Sequence, residues 1–285
     1  MTLRLLLVML SAVPLLAGPG PIKIHGHRGC RALRPENTMP AFEHAVELGA
    51  DVLELDMGVT KDNHLLISHD PHLTPALCRK DDGTPLSAPA AIRSLTLAEA
   101  QRYDCGALKN PNFPRQTPVP HTPPPTLEQV FSLAKKNPRL EFNIETKIFA
   151  DHPELTPEPA AFARLVVETV RRFKLEKRVI VQSFDPRTLR EVRKIEPAIR
   201  LAVLSGDGKG YISLAQEMGA EIVSPEHNHL TEVDVQRAHA LHMQVVPWTA
   251  NDEAAWKRLV DMGVDAIITD DPEALAAFLV RGKPR

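Results

Sequence analysis

Glu47-Leu48-Gly49-Ala50-Asp51 closes an amphipathic segment and leads directly into Val52-Leu53-Glu54-Leu55-Asp56-Met57-Gly58. The same punctuation returns at Glu217-Met218-Gly219-Ala220-Glu221 and at Asp261-Met262-Gly263-Val264-Asp265. Each time a glycine follows a helical pattern and precedes a short apolar run. Glycine takes the left-handed conformation that ends a helix, so the chain turns at once into a strand. Helix passing directly to strand, repeated along the chain, means αβ units and a parallel sheet.

Working outward from these junctions, short β-branched or apolar runs predict strands near 22–28, 52–58, 140–146, 179–183, 201–204, 222–224, 244–248 and 266–269. Helical patterns follow at 38–48, 126–136, 159–173, 186–195, 210–218, 231–241, 253–262 and 272–280. Eight strand–helix units predict an α/β fold of the TIM (β/α)8 barrel type. A doubly wound open sheet is the runner-up, but its glycine-rich phosphate loop is missing. The reading is one domain over residues 22–285, preceded by a leader at 1–18.

Leu65-Leu66-Ile67-Ser68 does not fit the eight. It follows the second strand after Lys61-Asp62-Asn63-His64, too short a link for a parallel crossover. Asp62-Asn63 is a turn signal, so a hairpin is expected in which the second strand overshoots the rim and folds back. A turn centred there places His69 opposite Asp56. Residues 71–125 then break the βα rhythm with Cys78, Cys105 and seven prolines between Pro111 and Pro125. A loop of that length inside a barrel is usually functional. Leaving the rim after His69, it is expected to cover the catalytic face and to set the preferred alcohol.

Composition sets bounds. The 285 residues are 43% hydrophobic and 25% charged, ordinary for a soluble globular chain. A formal charge of −2 gives no electrostatic case for nucleic acid as partner. Met1 to Arg4, the apolar run Leu5 to Leu16 and Ala17-Gly18 fit a cleaved secretory signal, which implies a periplasmic or secreted protein. No later apolar run is long enough to span a bilayer, and few aromatics and no basic amphipathic helix argue against membrane docking. Export permits a disulfide. Cys78 and Cys105 share one loop-like region and are expected to pair, closing a loop worth roughly 3 kcal/mol. Cys30 is left free.

Strand alternation sorts the chemistry. In the second strand Leu53, Leu55 and Met57 face the helices, and Glu54 and Asp56 face inward. In the third, Leu140, Phe142 and Ile144 face out, leaving Glu141, Asn143, Glu145 and Lys147 inside. Barrel interiors are normally filled by branched apolar side chains, so inward charge is costly without a partner. Glu54, Asp56 and Glu145 either surround a cation or pair with Arg28 and Lys147 in a structural network. An oxygen-only ligand set suits Ca²⁺ or Mg²⁺ and not zinc. His27 and Arg28 fall at the end of the first strand, the rim where TIM-barrel active sites lie. Gln182 and Trp248 fall on inward positions of the same rim and are candidates to line a substrate pocket, with core packing the alternative for Trp248. His25 should point inward too, deeper in the barrel.

Several blocks together resemble the glycerophosphodiester phosphodiesterase family: His27-Arg28-Gly29, Pro35-Glu36-Asn37-Thr38, Glu54-Leu55-Asp56, Thr60-Lys61-Asp62 and His69-Asp70. Asn143-Ile144-Glu145-Thr146-Lys147, Gln182-Ser183-Phe184, Trp248-Thr249-Ala250-Asn251 and the block ending in Thr269-Asp270 continue the match to about residue 280. The resemblance implies a metal-dependent TIM-barrel enzyme with an insertion after His69. Such enzymes convert small glycerophosphodiesters such as glycerophosphocholine or glycerophosphoethanolamine to glycerol 3-phosphate and an alcohol. It further implies that His27 and His69 are the general acid–base pair, that Arg28 and Lys147 bind phosphate, and that Glu54, Asp56 and Glu145 hold Ca²⁺ or Mg²⁺. Cys30 stands where the family usually has a small residue, and Thr146 where an apolar one is common.

Two rival readings remain on sequence. One is a related barrel phospholipase, sphingomyelinase D-like or phosphatidylinositol phospholipase C-like. The other is a non-catalytic periplasmic phosphodiester-binding protein, which the presence of both His27 and His69 disfavours, since binding alone needs no acid–base pair.

Overall fold

The computed structural model describes residues 21–282; the leader expected at 1–18 lies outside them. Eight parallel strands form the barrel wall: β1 Lys23–Gly26, β2 Val52–Val59, β3 Glu141–Thr146, β4 Val179–Ser183, β5 Arg200–Ser205, β6 Ile222–Pro225, β7 Gln244–Val245 and β8 Ala266–Thr269. Neighbours pair in chain order from β2 to β7, and β1 lies between β2 and β8. The β7–β8 seam is joined by single hydrogen bonds instead of a ladder: Asp265 N–H to Val245 O at 3.0 Å and Ile268 N–H to Pro247 O at 3.0 Å. The seventh strand is shorter than expected. Pro247 has no N–H to continue the ladder.

A helix follows each strand: α1 Met39–Glu47, α2 Leu127–Phe131, α3 Pro159–Phe173, α4 Pro186–Ile195, α5 Tyr211–Met218, α6 Glu232–Ala240, α7 Glu253–Met262 and α8 Pro272–Arg281. Side-chain caps start most of them where the sequence offers Thr or Asp, as at Thr38, Thr126, Asp185, Thr231, Asp252 and Asp271. The three junction glycines that decide the fold, Gly49, Gly219 and Gly263, all have positive φ, at 87°, 61° and 78°. None meets another atom within 4 Å of a notional Cβ, so backbone conformation alone selects glycine there.

Two apolar layers result. The larger lies between strands and helices and holds Leu53, Leu55, Met57, Phe142 and Ile144 with Phe42, Phe131 and Phe162, all fully buried. Each such side chain contributes roughly 1.5–3 kcal/mol by leaving water. The smaller fills only part of the barrel interior: Ile180, Ala202, Ile222, Val246, Ala266 and Ile268, with Trp248 packed against them. The rest of the interior, on the side of β1, β2 and β3, is polar: His25, His27, Glu54, Asp56, Asn143 and Glu145 are all buried. The chemistry sits in that half.

The hairpin forms as expected, with Leu65–Ile67 antiparallel to β2, but its register differs by one. Met57 pairs with Ile67, and Ser68 N–H donates to Asp56 O at 3.0 Å, so Ser68 and not His69 faces Asp56. The loop holds three residues centred on Asp62, with Asn63 left-handed at φ 63°. His69 lies beyond the strand, where the chain bends and Ser68 Oγ donates to Asp70 O at 2.9 Å.

Residues 71–125 fold on themselves. Two short ladders, His72–Leu73 with Ala90–Ala91 and Arg79–Lys80 with Tyr103–Asp104, surround a small core of Leu66, Leu73, Cys78, Ile92 and Ala100. Cys78 is bonded to Cys105, and Cys30 is free and buried. No helix among the described residues is long and apolar enough to cross a membrane.

Candidate active site

A cleft of about 220 Å³ opens at the C-terminal ends of the strands. His27, Arg28, Glu54, Asp56, His69, Glu145, Lys147, Gln182 and Trp248 all border it, so the catalytic, metal-holding and substrate-binding candidates from sequence meet there. β1 ends at Gly26 and turns sharply at Arg28, whose φ is 50°, so that His27 and Arg28 lean over the barrel mouth.

Glu54, Asp56 and Glu145 offer carboxylate oxygens that all lie within 4.8 Å of one another. The ladder sets this spacing, because Asp56 is directly opposite Glu145 across β2 and β3. Burial, with Asp56 beside it, pushes the Glu54 carboxyl well above the usual range. Burial likewise pushes Glu145 up to about 8. Burial would raise Asp56 too, but Lys147 and Arg28 outweigh it and hold that carboxyl well below its usual range. Lys147 Nζ lies 2.8 Å from Glu145 and 3.1 Å from Asp56, and Arg28 Nε lies 3.4 Å from Asp56. The ion network and the carboxylate cluster, alternatives on sequence, are the same object. One lysine and one arginine do not neutralise three buried acids, and Arg28 is shared with Glu36, to which its Nη1 donates at 2.6 Å. A hard divalent cation fits what is left: oxygen donors only, crowded, with two of three held back from ionising.

The two histidines differ. His27 is almost buried, and its Nδ1 lies 2.6 Å from Asp270 Oδ1, while Nε2 faces Glu54 at 3.9 Å. Burial lowers its pKa, and Asp270 restores part of the loss. His69 is about a third exposed, with Nδ1 3.0 Å from Asp70. In both, a carboxylate at Nδ1 orients the ring and leaves Nε2 for other work.

Gln182 borders the cleft as expected, with its amide engaged by neighbouring side chains. It is buried, donates to Glu54 Oε1 at 2.8 Å and accepts from Asn143 Nδ2 at 2.9 Å. Its amide fixes Glu54. Trp248 donates its indole N–H to Ser224 O at 2.8 Å and stands edge-to-face with the half-exposed Phe184, forming the apolar wall opposite the acids.

Sequence reasoning assigned no role to Asp270, Asn37 or Arg31. Asp270 follows the eighth strand at the catalytic rim, which was a readable signal. Asn37, buried at φ 54°, donates to Asp56 Oδ2 at 3.0 Å. Arg31 borders the cleft, and its Nε donates to Asp270 at 2.5 Å. The insertion also departs from expectation. None of residues 71–125 borders the cleft. Its own core and its bonds to the hairpin seat it to one side, where it shares a second hollow with the other face of His69.

Residues 27–274 match the model of the glycerophosphoryl diester phosphodiesterase family. The chain belongs to that family. A glycerophosphodiester phosphodiesterase from Caldanaerobacter subterraneus subsp. tengcongensis is 31% identical over 90% of this chain and 97% of its own length. The crystal structure of a protein from Silicibacter pomeroyi superposes with a TM-score of 0.87 at 28% identity, covering 92% of this chain and 94% of that one. An Oleispira antarctica phosphodiesterase, solved with its product sn-glycerol-3-phosphate, shares the fold at 20% identity and a TM-score of 0.76, covering 90% and 96%. The family's blocks fall on the cleft and on the loops that frame it, and the barrel holds them in one place.

Proposed function

We propose that this chain hydrolyses glycerophosphodiesters such as glycerophosphocholine and glycerophosphoethanolamine, releasing glycerol 3-phosphate and an alcohol. The observation that carries the reading is the meeting of two carboxylate-oriented histidines with three clustered acids in one cleft. The names of the relatives point the same way, as does the product bound to the Oleispira antarctica enzyme.

Arg28, buried beside Asp56 and Glu36, stays charged and borders the cleft, where it would bind a phosphate oxygen. Lys147, raised to about 12 by the acids around it in spite of burial, adds a second cation at the same wall. Glu54, Asp56 and Glu145 would hold Ca²⁺ or Mg²⁺, and such an ion supplies charge neutralisation at the phosphoryl oxygens. His27, kept neutral by burial, and His69 exchange protons with the attacking and leaving oxygens. Export to the periplasm or medium is part of the same proposal, supported by the apolar leader and the Cys78–Cys105 bond.

The test incubates purified protein with glycerophosphocholine and Ca²⁺ or Mg²⁺ and measures glycerol 3-phosphate. Release that chelation abolishes is expected. No release from any head group, with or without metal, overturns the reading. Cleavage of intact phospholipid or sphingomyelin in its place would favour the barrel phospholipases, and binding without turnover a binding protein.

A further inference from the structure

Although the insertion leaves the cleft unlined, residues 110–117 grip one residue that does border it. The Arg31 guanidinium lies over the Phe113 ring, 5.1 Å from its centroid. Arg31 O accepts from Gln116 Nε2 at 2.8 Å. Gln116 is itself buried, and its Oε1 takes Asn110 N–H at 2.8 Å. Thr117 N–H donates to Leu33 O at 3.0 Å, and Arg115 reaches Asp271 at 2.6 Å, so the same strip also holds the β1–α1 loop and the start of α8.

On its other side Arg31 Nε donates to Asp270 Oδ1 at 2.5 Å, the same oxygen that meets His27 Nδ1 at 2.6 Å. Asn251 Nδ2 takes the other oxygen at 2.7 Å. The Asp270 carboxylate is therefore held from three directions, and of these three side-chain contacts the one to Arg31 leads back to the insertion. A guanidinium is planar and directional, and stacking on an aromatic face limits its rotation.

We propose that Arg31 is a positioning residue through which the insertion, by Phe113 and Gln116, sets the Asp270 carboxylate and hence the orientation of the His27 imidazole. This rests on the acid–base reading of His27. The insertion then acts on turnover through a side-chain relay, without covering the substrate.

The test uses the full chain and the variants Arg31→Ala, Arg31→Lys, Phe113→Leu, Asp270→Asn and the double variant Arg31→Ala/Asp270→Asn. Steady-state rates on glycerophosphocholine are measured beside the downfield proton resonance of the His27 Nδ1–H, with thermal unfolding to check folding. Arg31→Ala is expected to lower kcat by roughly tenfold or more while KM changes less than about twofold. Arg31→Lys keeps the charge and should recover part of the loss. In the Asp270→Asn background, removing Arg31 should cost less than about twofold, because both act on one contact. Arg31→Ala and Phe113→Leu should move the His27 resonance in the same direction. Wild-type kcat in Arg31→Ala, a full multiplicative loss in the double variant, or an unmoved resonance in folded Arg31→Ala overturns the inference. If the wild-type protein has no phosphodiesterase activity, the functional proposal fails, and the His27 resonance alone decides whether Arg31 positions it.

Discussion

His27 and His69 reach the cleft by unlike routes, one buried at the end of a barrel strand and the other on a bend past a hairpin. Their substitutions should separate from those of the acids. His69→Ala is expected to lower turnover by at least about a hundredfold with divalent-ion binding kept. Glu54→Gln is expected to weaken that binding. Calorimetric titration of each variant with Ca²⁺, beside its rate, checks both. His25, two residues earlier and fully inside the barrel, offers a different measurement. Its Nδ1 has no partner among the described residues, and burial lowers its pKa to about 3. The unfolded chain takes up the proton below about 6.5, whereas the folded chain resists until near the lowered value. His25 therefore costs no stability above the unfolded pKa, and stability is lost as pH falls through that window, by about 2 kcal/mol at pH 5. Urea unfolding at pH 7 and pH 5 should show a steeper loss in the native chain than in His25→Gln.

The β1–α1 loop is the element on which the cleft depends most. Gly29, at φ 85°, donates to Gly26 O at 3.1 Å and to Glu54 O at 3.3 Å, pinning the turn that carries His27 and Arg28 against β2. A Cβ there would lie 2.7 Å from the Ala41 backbone carbon in α1. Gly29→Ala should therefore cost at least about 2 kcal/mol, more than Gly49→Ala, where the space is open and only the left-handed backbone opposes, at about 1 kcal/mol. Chemical unfolding of the two variants gives the comparison. The His27-Arg28-Gly29 block was legible in sequence, but the clash behind it was not, because Ala41 is distant along the chain and is brought close only when α1 packs. The hairpin makes the same point. Its existence was read from Asp62-Asn63, but the single-residue register followed from a three-residue loop that either pattern of letters allows.

At the scale of the molecule the barrel interior is divided, apolar toward β4 to β8 and polar toward β1 to β3. The insertion is a satellite on this body, tied by the Cys78–Cys105 bond across a sequence separation of 27. Cys78→Ser/Cys105→Ser should loosen that satellite by about 3 kcal/mol. Limited proteolysis is expected to cut within residues 71–125 earlier than in the native chain, with the barrel left intact.

The sequence by itself determined the eight αβ units, through glycines whose backbone demand is local, and the inward face of Glu54, Asp56 and Glu145, through the period of two in a strand. It also marked His27, Arg28, His69 and Lys147. Only the tertiary structure decided that Gln182 serves Glu54, that Asp270 meets His27, and that the insertion contacts the cleft residue Arg31. The reason is the separation of the partners. Gln182 lies 128 residues from Glu54, Asp270 lies 243 from His27, and Arg31 lies 239 from Asp270. No period or turn rule links such pairs. Closing the barrel brings β1 beside β8 and so joins the two ends of the chain at one rim.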